Sequence, residues 1–197
     1  MIKWITKFKT IEHTTMSTLD VIQIMLRQRG IPSDVVEDIE SEFQATIHKI
    51  SNVLVFIMNR SRISSEKDIR SIVSIMDANG GTLSIVVVPV KPSETVRSLL
   101  RQYSDKIQLF HIGQLQFDIT THRKVPSHRI LSTDEKKTFQ EKFHIQTPAT
   151  QMPLIDSQDP MALWIGAIPG DIVEVMRRSE TAGGTPYYRF CVADVTL

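Results

Sequence analysis

The chain has 197 residues, 41% of them hydrophobic, which is enough for a packed interior and excludes a mainly disordered polypeptide. Its 23 basic and 22 acidic side chains leave a formal charge of +1, and residues 1–122 (14 basic, 13 acidic) are as balanced as residues 123–197 (9 and 9). Neither part is therefore the basic block that strong autonomous nucleic-acid binding requires. No run approaches the ~18 apolar residues that cross a bilayer, and the single cysteine, Cys191, rules out an intramolecular disulfide. A soluble protein of a reducing, intracellular compartment is expected, with no membrane partner.

Ile2, Trp4, Ile5 and Phe8 interleave with Lys3, Lys7 and Lys9 without the continuous apolar run of a signal peptide, and read as the lead-in to a strand or helix. Thr18 to Arg29 carries Leu19, Ile22, Met25 and Leu26 on one helical face, with Gly30 and Pro32 just past its end. Ser33 is placed to cap a second helix. Asp34, Glu37 and Asp38 suit its first turns, and Val36, Ile39, Phe43, Ile47 and Ile50 keep a helical period. An antiparallel helix pair is predicted here.

Val53 to Met58 is apolar on both faces, as in a covered strand. Ser65 and Asp68 open a helix through Ile69, Ile72, Val73 and Met76, which Asn79-Gly80-Gly81 ends. Thr82 to Val90 is the next buried strand, so strand, helix and strand predict a right-handed crossover and a parallel pair. Ser93 starts a helix bearing Val96, Leu99, Leu100 and Tyr103, and Ile107 to Ile112 and Leu115 to Ile119 supply two more strands. Residues 1–122 thus read as an α/β domain of about four strands. Thr120 to Ser127, with His122, Arg123, Lys124 and Pro126, has no apolar period and reads as a linker to a second domain at residues 123–197.

Ser132-Thr133-Asp134-Glu135 is a full capping box for a helix carrying Phe139 and Phe143. Asp159 can accept from the free amides of a first helical turn, and Pro160 loses no hydrogen bond there, so a short helix runs from Met161 to Ile165 and stops at Gly166. Pro169-Gly170 forces a turn. Asp171 to Met176 and Tyr187 to Val192 form a β-hairpin, with Arg177 to Pro186 as a long, polar loop between them. The second domain is therefore small and α+β.

Catalytic signals are absent. The six histidines lack metal-ligand spacing, and His128 reads as an imidazole hydrogen-bonded to backbone. No glycine cradle for a nucleotide occurs. No cofactor, metal or catalytic residue is expected.

Asp159-Pro160, Gly166, Pro169-Gly170, Arg177-x-Ser179-Glu180-Thr181-Ala182-Gly183 and Tyr188-Arg189 stand in the order of one family's C-terminal signature. They resemble the fifth subunit shared by eukaryotic nuclear RNA polymerases, whose archaeal counterpart has only the C-terminal part. The resemblance covers about Val125 to Val192. Leu163 departs from it, standing where the family usually carries Arg, and Gly184-Thr185 replaces a basic-aromatic pair. Residues 1–122 resemble more loosely the jaw domain of the same subunit, whose α/β arrangement is similar to the restriction-endonuclease fold.

The resemblance implies a non-catalytic structural subunit of a DNA-directed RNA polymerase, acting in transcription. Its C-terminal assembly domain would dock on the largest subunit through Asp159, Pro160, Gly166, Gly170, Arg177, Ser179, Glu180, Thr181, Ala182, Gly183, Tyr188 and Arg189. The alternative for the arginines is an internal Glu180–Arg pair that ties the loop together. Lys91, Pro92 and Ser93, at the end of a core strand, would lie beside downstream duplex DNA and touch phosphate or sugar without reading bases. The alternative there is a plain helix cap with a solvated lysine. Other polymerase subunits and transcription factors are implied partners. The location would be the nucleus for a cellular eukaryotic protein, or the cytoplasm and virion for a virus-encoded copy.

Two other classes compete with this reading. A nuclease of the restriction type needs an acid-x-Lys pair, but Pro89-Val90-Lys91 puts proline at the metal-ligand position and Glu135-Lys136-Lys137 lies on a predicted helix. A stand-alone adaptor for transcription factors is the second.

Overall fold

The computed structural model describes residues 16–41, 43–59, 66–90, 93–179 and 183–193. In chain order it contains α1 (Thr18–Gln28), β1 (Glu37–Ile39), β2 (Ala45–Ile50), β3 (Val53–Met58), α2 (Glu66–Ala78), β4 (Leu83–Val88), α3 (Glu94–Arg101) and β5 (Ile107–His111). There follow β6 (Ser127–Ile130), α4 (Thr133–Lys142), α5 (Pro148–Gln151), β7 (Leu154–Asp156), α6 (Pro160–Ile165), β8 (Ile172–Ser179) and β9 (Gly183–Val192). The strands make two mixed sheets, ordered β1-β2-β3-β4-β5 and β6-β8-β9-β7.

The first sheet grows around β3 and β4, whose valines and isoleucines, the half-buried Ile57 apart, are buried on both faces. They pair parallel across α2, and β5 adds parallel beyond α3. Val21, Ile22, Met25 and Leu26 of α1 cover one face. Residues of α2 and α3, including Ile69, Ile72, Val96 and Leu100, cover the other. The expected capping residue Ser65 lies outside the described residues, as does the segment 1–15.

Three expectations in this part are corrected. The helix expected after Ser33 is instead β1 and β2, so the sheet has five strands rather than about four. Ile47 and Ile50 are three apart, a spacing that fits a helix face, but β3 needs a hydrogen-bonding neighbour on the side away from β4. β2 supplies it as an antiparallel hairpin, with Ile50 opposite Val53 and Ser51 at φ 55° in the two-residue turn. Ser33 is not a helix cap: its buried hydroxyl donates to the Gln23 carbonyl while Gln23 Nε2 donates to the Ser33 carbonyl, both at 3.0 Å. The strand expected at Leu115 to Ile119 is absent. His111 Nδ1 accepts from the Gly113 amide and Asp118 accepts from the Thr120 amide, and these local bonds wind 112–114 and 119–121 into single 3-10 turns.

Helix α6 joins the two parts. Met161, Leu163 and Trp164 belong to the same core as α1 and β3, whereas Ala162 packs with Val173, Val175 and Cys191 of the second sheet. A further cluster of Leu131, Met152 and Ile172, with Phe139 and Tyr188 against it, sits under α4. Among the described residues no helix is long and apolar enough to cross a membrane.

Candidate subunit-docking surface

The second sheet is held in place through α6. Asp159 is its N-cap, accepting from the Met161 amide at 2.8 Å, and Pro160 occupies the first turn. Gly166 ends it in the left-handed region at φ 78°. The Trp164 carbonyl at this end, and the Leu163 carbonyl that also accepts the Gly166 amide, accept from Arg29, whose guanidinium reaches across from the end of α1. Burial pulls the Arg29 pKa down to about 10, so it stays charged at neutral pH. Trp164 Nε1 donates to Gln28 Oε1 at 2.7 Å beside it. Gly170, at φ 102°, turns the chain into β8, donating its amide to the Cys191 carbonyl and accepting from Lys136 Nζ.

From this base the hairpin projects further than its sequence indicates. β8 and β9 pair in eight successive steps from Ile172 opposite Phe190 to Ser179 opposite Gly183. The expected loop from Arg177 to Pro186 is therefore mostly a two-stranded arm. Its exposed residues bury neither face and so show no apolar alternation, which is why they read as loop. Glu180, Thr181 and Ala182, and with them any Glu180–Arg pair, lie outside the described residues.

Pairing sorts the arm into two faces. On one, the Tyr187 ring lies 3.8 Å from Arg177 Cζ and 5.7 Å from Arg189 Cζ, so the aromatic sits within two cations. On the other, Tyr188 turns inward: its hydroxyl donates to Glu174 Oε1 at 3.0 Å and its ring packs on Phe139 with centroids 4.4 Å apart. Burial, and then the Glu174 bond, push the Tyr188 phenol above its usual range. Arg129 ties this face together, donating to Glu174 Oε2 at 2.7 Å and to both Glu135 oxygens at 2.8 Å. The Ser132 amide and Arg129 hold the Glu135 carboxyl below its ordinary value.

Arg177 and Arg178 are exposed, and neither pairs with a carboxylate among the described residues. The sequence singles out Tyr188 and Arg189 but not Tyr187, Arg129 or Glu174. Strand alternation with the register known is the only signal that separates Tyr187 from Tyr188. Elsewhere, His128 Nδ1 donates to the Pro126 carbonyl at 2.8 Å, as expected for a backbone-bonded imidazole. Ser93 has N-cap backbone geometry at α3, yet its exposed side chain makes no cap bond. Lys91 and Pro92 lie outside the described residues.

The second sheet thus rests on a capped helix locked into the first core and extends a two-stranded arm that bears Arg177 and Arg178. The family model for the C-terminal domain of RNA polymerase Rpb5 matches residues 117–191. The DNA-directed RNA polymerase subunit Rpo5 of Pyrococcus horikoshii is 52% identical over 82 residues, 42% of this chain and 98% of the relative. That of Thermococcus celer is 46% identical over 79 residues, covering 40% and 94%. The DNA-directed RNA polymerases I, II, and III subunit rpabc1 of Dictyostelium discoideum is 28% identical over 145 residues, 72% of each chain. The chain belongs to this Rpb5/Rpo5 family of RNA polymerase subunits.

Proposed function

We propose that the chain is a non-catalytic structural subunit of a multi-subunit DNA-directed RNA polymerase. In this reading residues 123–197 are the assembly domain, docking on the largest subunit, and residues 1–122 are a jaw beside downstream DNA. The observation that carries it is coverage: the matched part spans 98% of an archaeal polymerase subunit, so that relative consists of little else. Residues 117–191, the span of the family model, bear the arm, where arginines suited to bidentate pairing flank a tyrosine, the residue types that most often anchor interfaces.

Within that division Asp159, Pro160, Gly166 and Gly170 set the base, and Arg177, Ser179, Gly183 and Arg189 form the contact surface with Glu180, Thr181 and Ala182. Tyr188 supports it from behind. Catalysis belongs to the large subunits. Lys91, Pro92 and Ser93 touch phosphate or sugar, and the uncapped Ser93 hydroxyl is free to donate there. The Dictyostelium relative, a subunit of polymerases I, II and III by name, supports a nuclear location.

The test is reconstitution of the polymerase with variant chains. Arg177→Ala weakens retention of the largest subunit by the ~2 kcal/mol of an interface anchor while the free chain keeps its circular dichroism spectrum. Lys91→Glu assembles normally but makes elongation complexes more salt-sensitive. Unchanged retention with Arg177→Ala refutes the docking surface, and superimposable salt curves refute the DNA contact.

A further inference from the structure

We propose that the cleft between the end of α1, α6 and β6 receives an extended acidic polypeptide segment, which adds to β6 as a new edge strand of the second sheet. The cleft measures about 780 Å³, and three features of its walls select this occupant.

The first is an open template. β6 ends its sheet, with β8 as its only neighbouring strand among the described residues. The Leu131 amide donates to the Ile172 carbonyl, toward β8. Since backbone direction alternates along an antiparallel strand, the amides and carbonyls of His128 and Ile130 point the other way, and both residues line the cleft. No other strand pairs with them among the described residues. The second feature is an apolar floor made by Met161, Trp164 and Ile165.

The third is charge. Arg29, Arg129 and Arg178 line the cleft, and no aspartate or glutamate among the described residues does. Arg129 is already paired with two carboxylates, Glu135 and Glu174. Arg29 is bonded to two carbonyls and the Met25 sulfur, and Arg178 pairs with no carboxylate among the described residues. Two cations therefore stand uncompensated at the cleft, one of them largely removed from water. An acidic chain would supply their counter-charge. A nucleic-acid backbone would match the cations too, but it has no amide protons for the outward carbonyls of β6 and no apolar side chain for the floor. Arg177, Tyr187 and Arg189 do not line the cleft, so the inference does not rest on docking of the arm.

The test uses the full chain labelled with ¹⁵N and two short peptides at millimolar concentration, one alternating glutamate with valine and one alternating lysine with valine. The glutamate peptide slows amide exchange at His128 and Ile130 about tenfold, the lysine peptide does not, and Arg178→Glu abolishes the effect while Arg177→Ala preserves it. Unchanged exchange at these two amides, equal protection by both peptides, or the same protection from a single-stranded DNA oligonucleotide would overturn the proposal.

Discussion

Cys191 shows how a single residue reports on the core around it. Its thiol is fully buried between α6 and β8, and burial, followed by the charges of Asp171, Asp156 and Asp159, pushes its pKa from 9.0 up to about 12. The folded state thus holds this proton more tightly than the unfolded chain. Its contribution to stability is complete below pH 9.0 and is lost as pH climbs toward about 12. Urea denaturation across that window gives a falling midpoint, and in Cys191→Ala the fall becomes shallower whatever the variant's starting stability. An equal slope in both proteins contradicts the assignment. The burial is legible from the sequence, because Cys191 sits among aromatic and β-branched strand residues. Arg29 is not: a cation at a helix end reads as solvated, and its bonds to Leu163 and Trp164 span more than 130 positions.

Among elements, α6 is legible at both ends because its signals are local chemistry. Asp159 and Pro160 start it and Gly166 stops it within a few residues. Gly166→Ala is expected to destabilise the protein by about 1 kcal/mol or more, because φ is +78° and a Cβ would meet Arg29 Cζ at 3.3 Å. Chemical denaturation reads this directly, and a variant as stable as the parent would show that the cap and its arginine carry little. β1 and β2 mislead for the opposite reason. Apolar residues three apart satisfy a helix face, and what decides between the two is the demand of β3 for a partner, which no local pattern encodes. The length of the β8–β9 arm escapes for a related reason, since a ribbon exposed on both faces carries no burial pattern. Its register then hides which tyrosine faces the arginines.

At the scale of the whole molecule, two sheets share one helix. We propose that residues 123–197 still fold as a unit, since an 82-residue stretch of this chain covers 98% of the Pyrococcus subunit and the family model for the C-terminal domain spans residues 117–191. In the full chain Leu163 is buried in the core of α1 and β3. An isolated 123–197 fragment exposes that leucine. It should unfold cooperatively on heating, and Leu163→Arg should improve the fragment's solubility while destabilising the full chain. A fragment with no cooperative transition contradicts autonomy.

The central claim, that the chain is a polymerase subunit, is tested most directly by isolating it under native conditions from its own cells and identifying what travels with it. The account predicts co-elution with the largest polymerase subunit, in a fraction that synthesises RNA on a DNA template. Recovery of the chain as a free small protein, with the polymerase activity in fractions that lack it, would contradict the account.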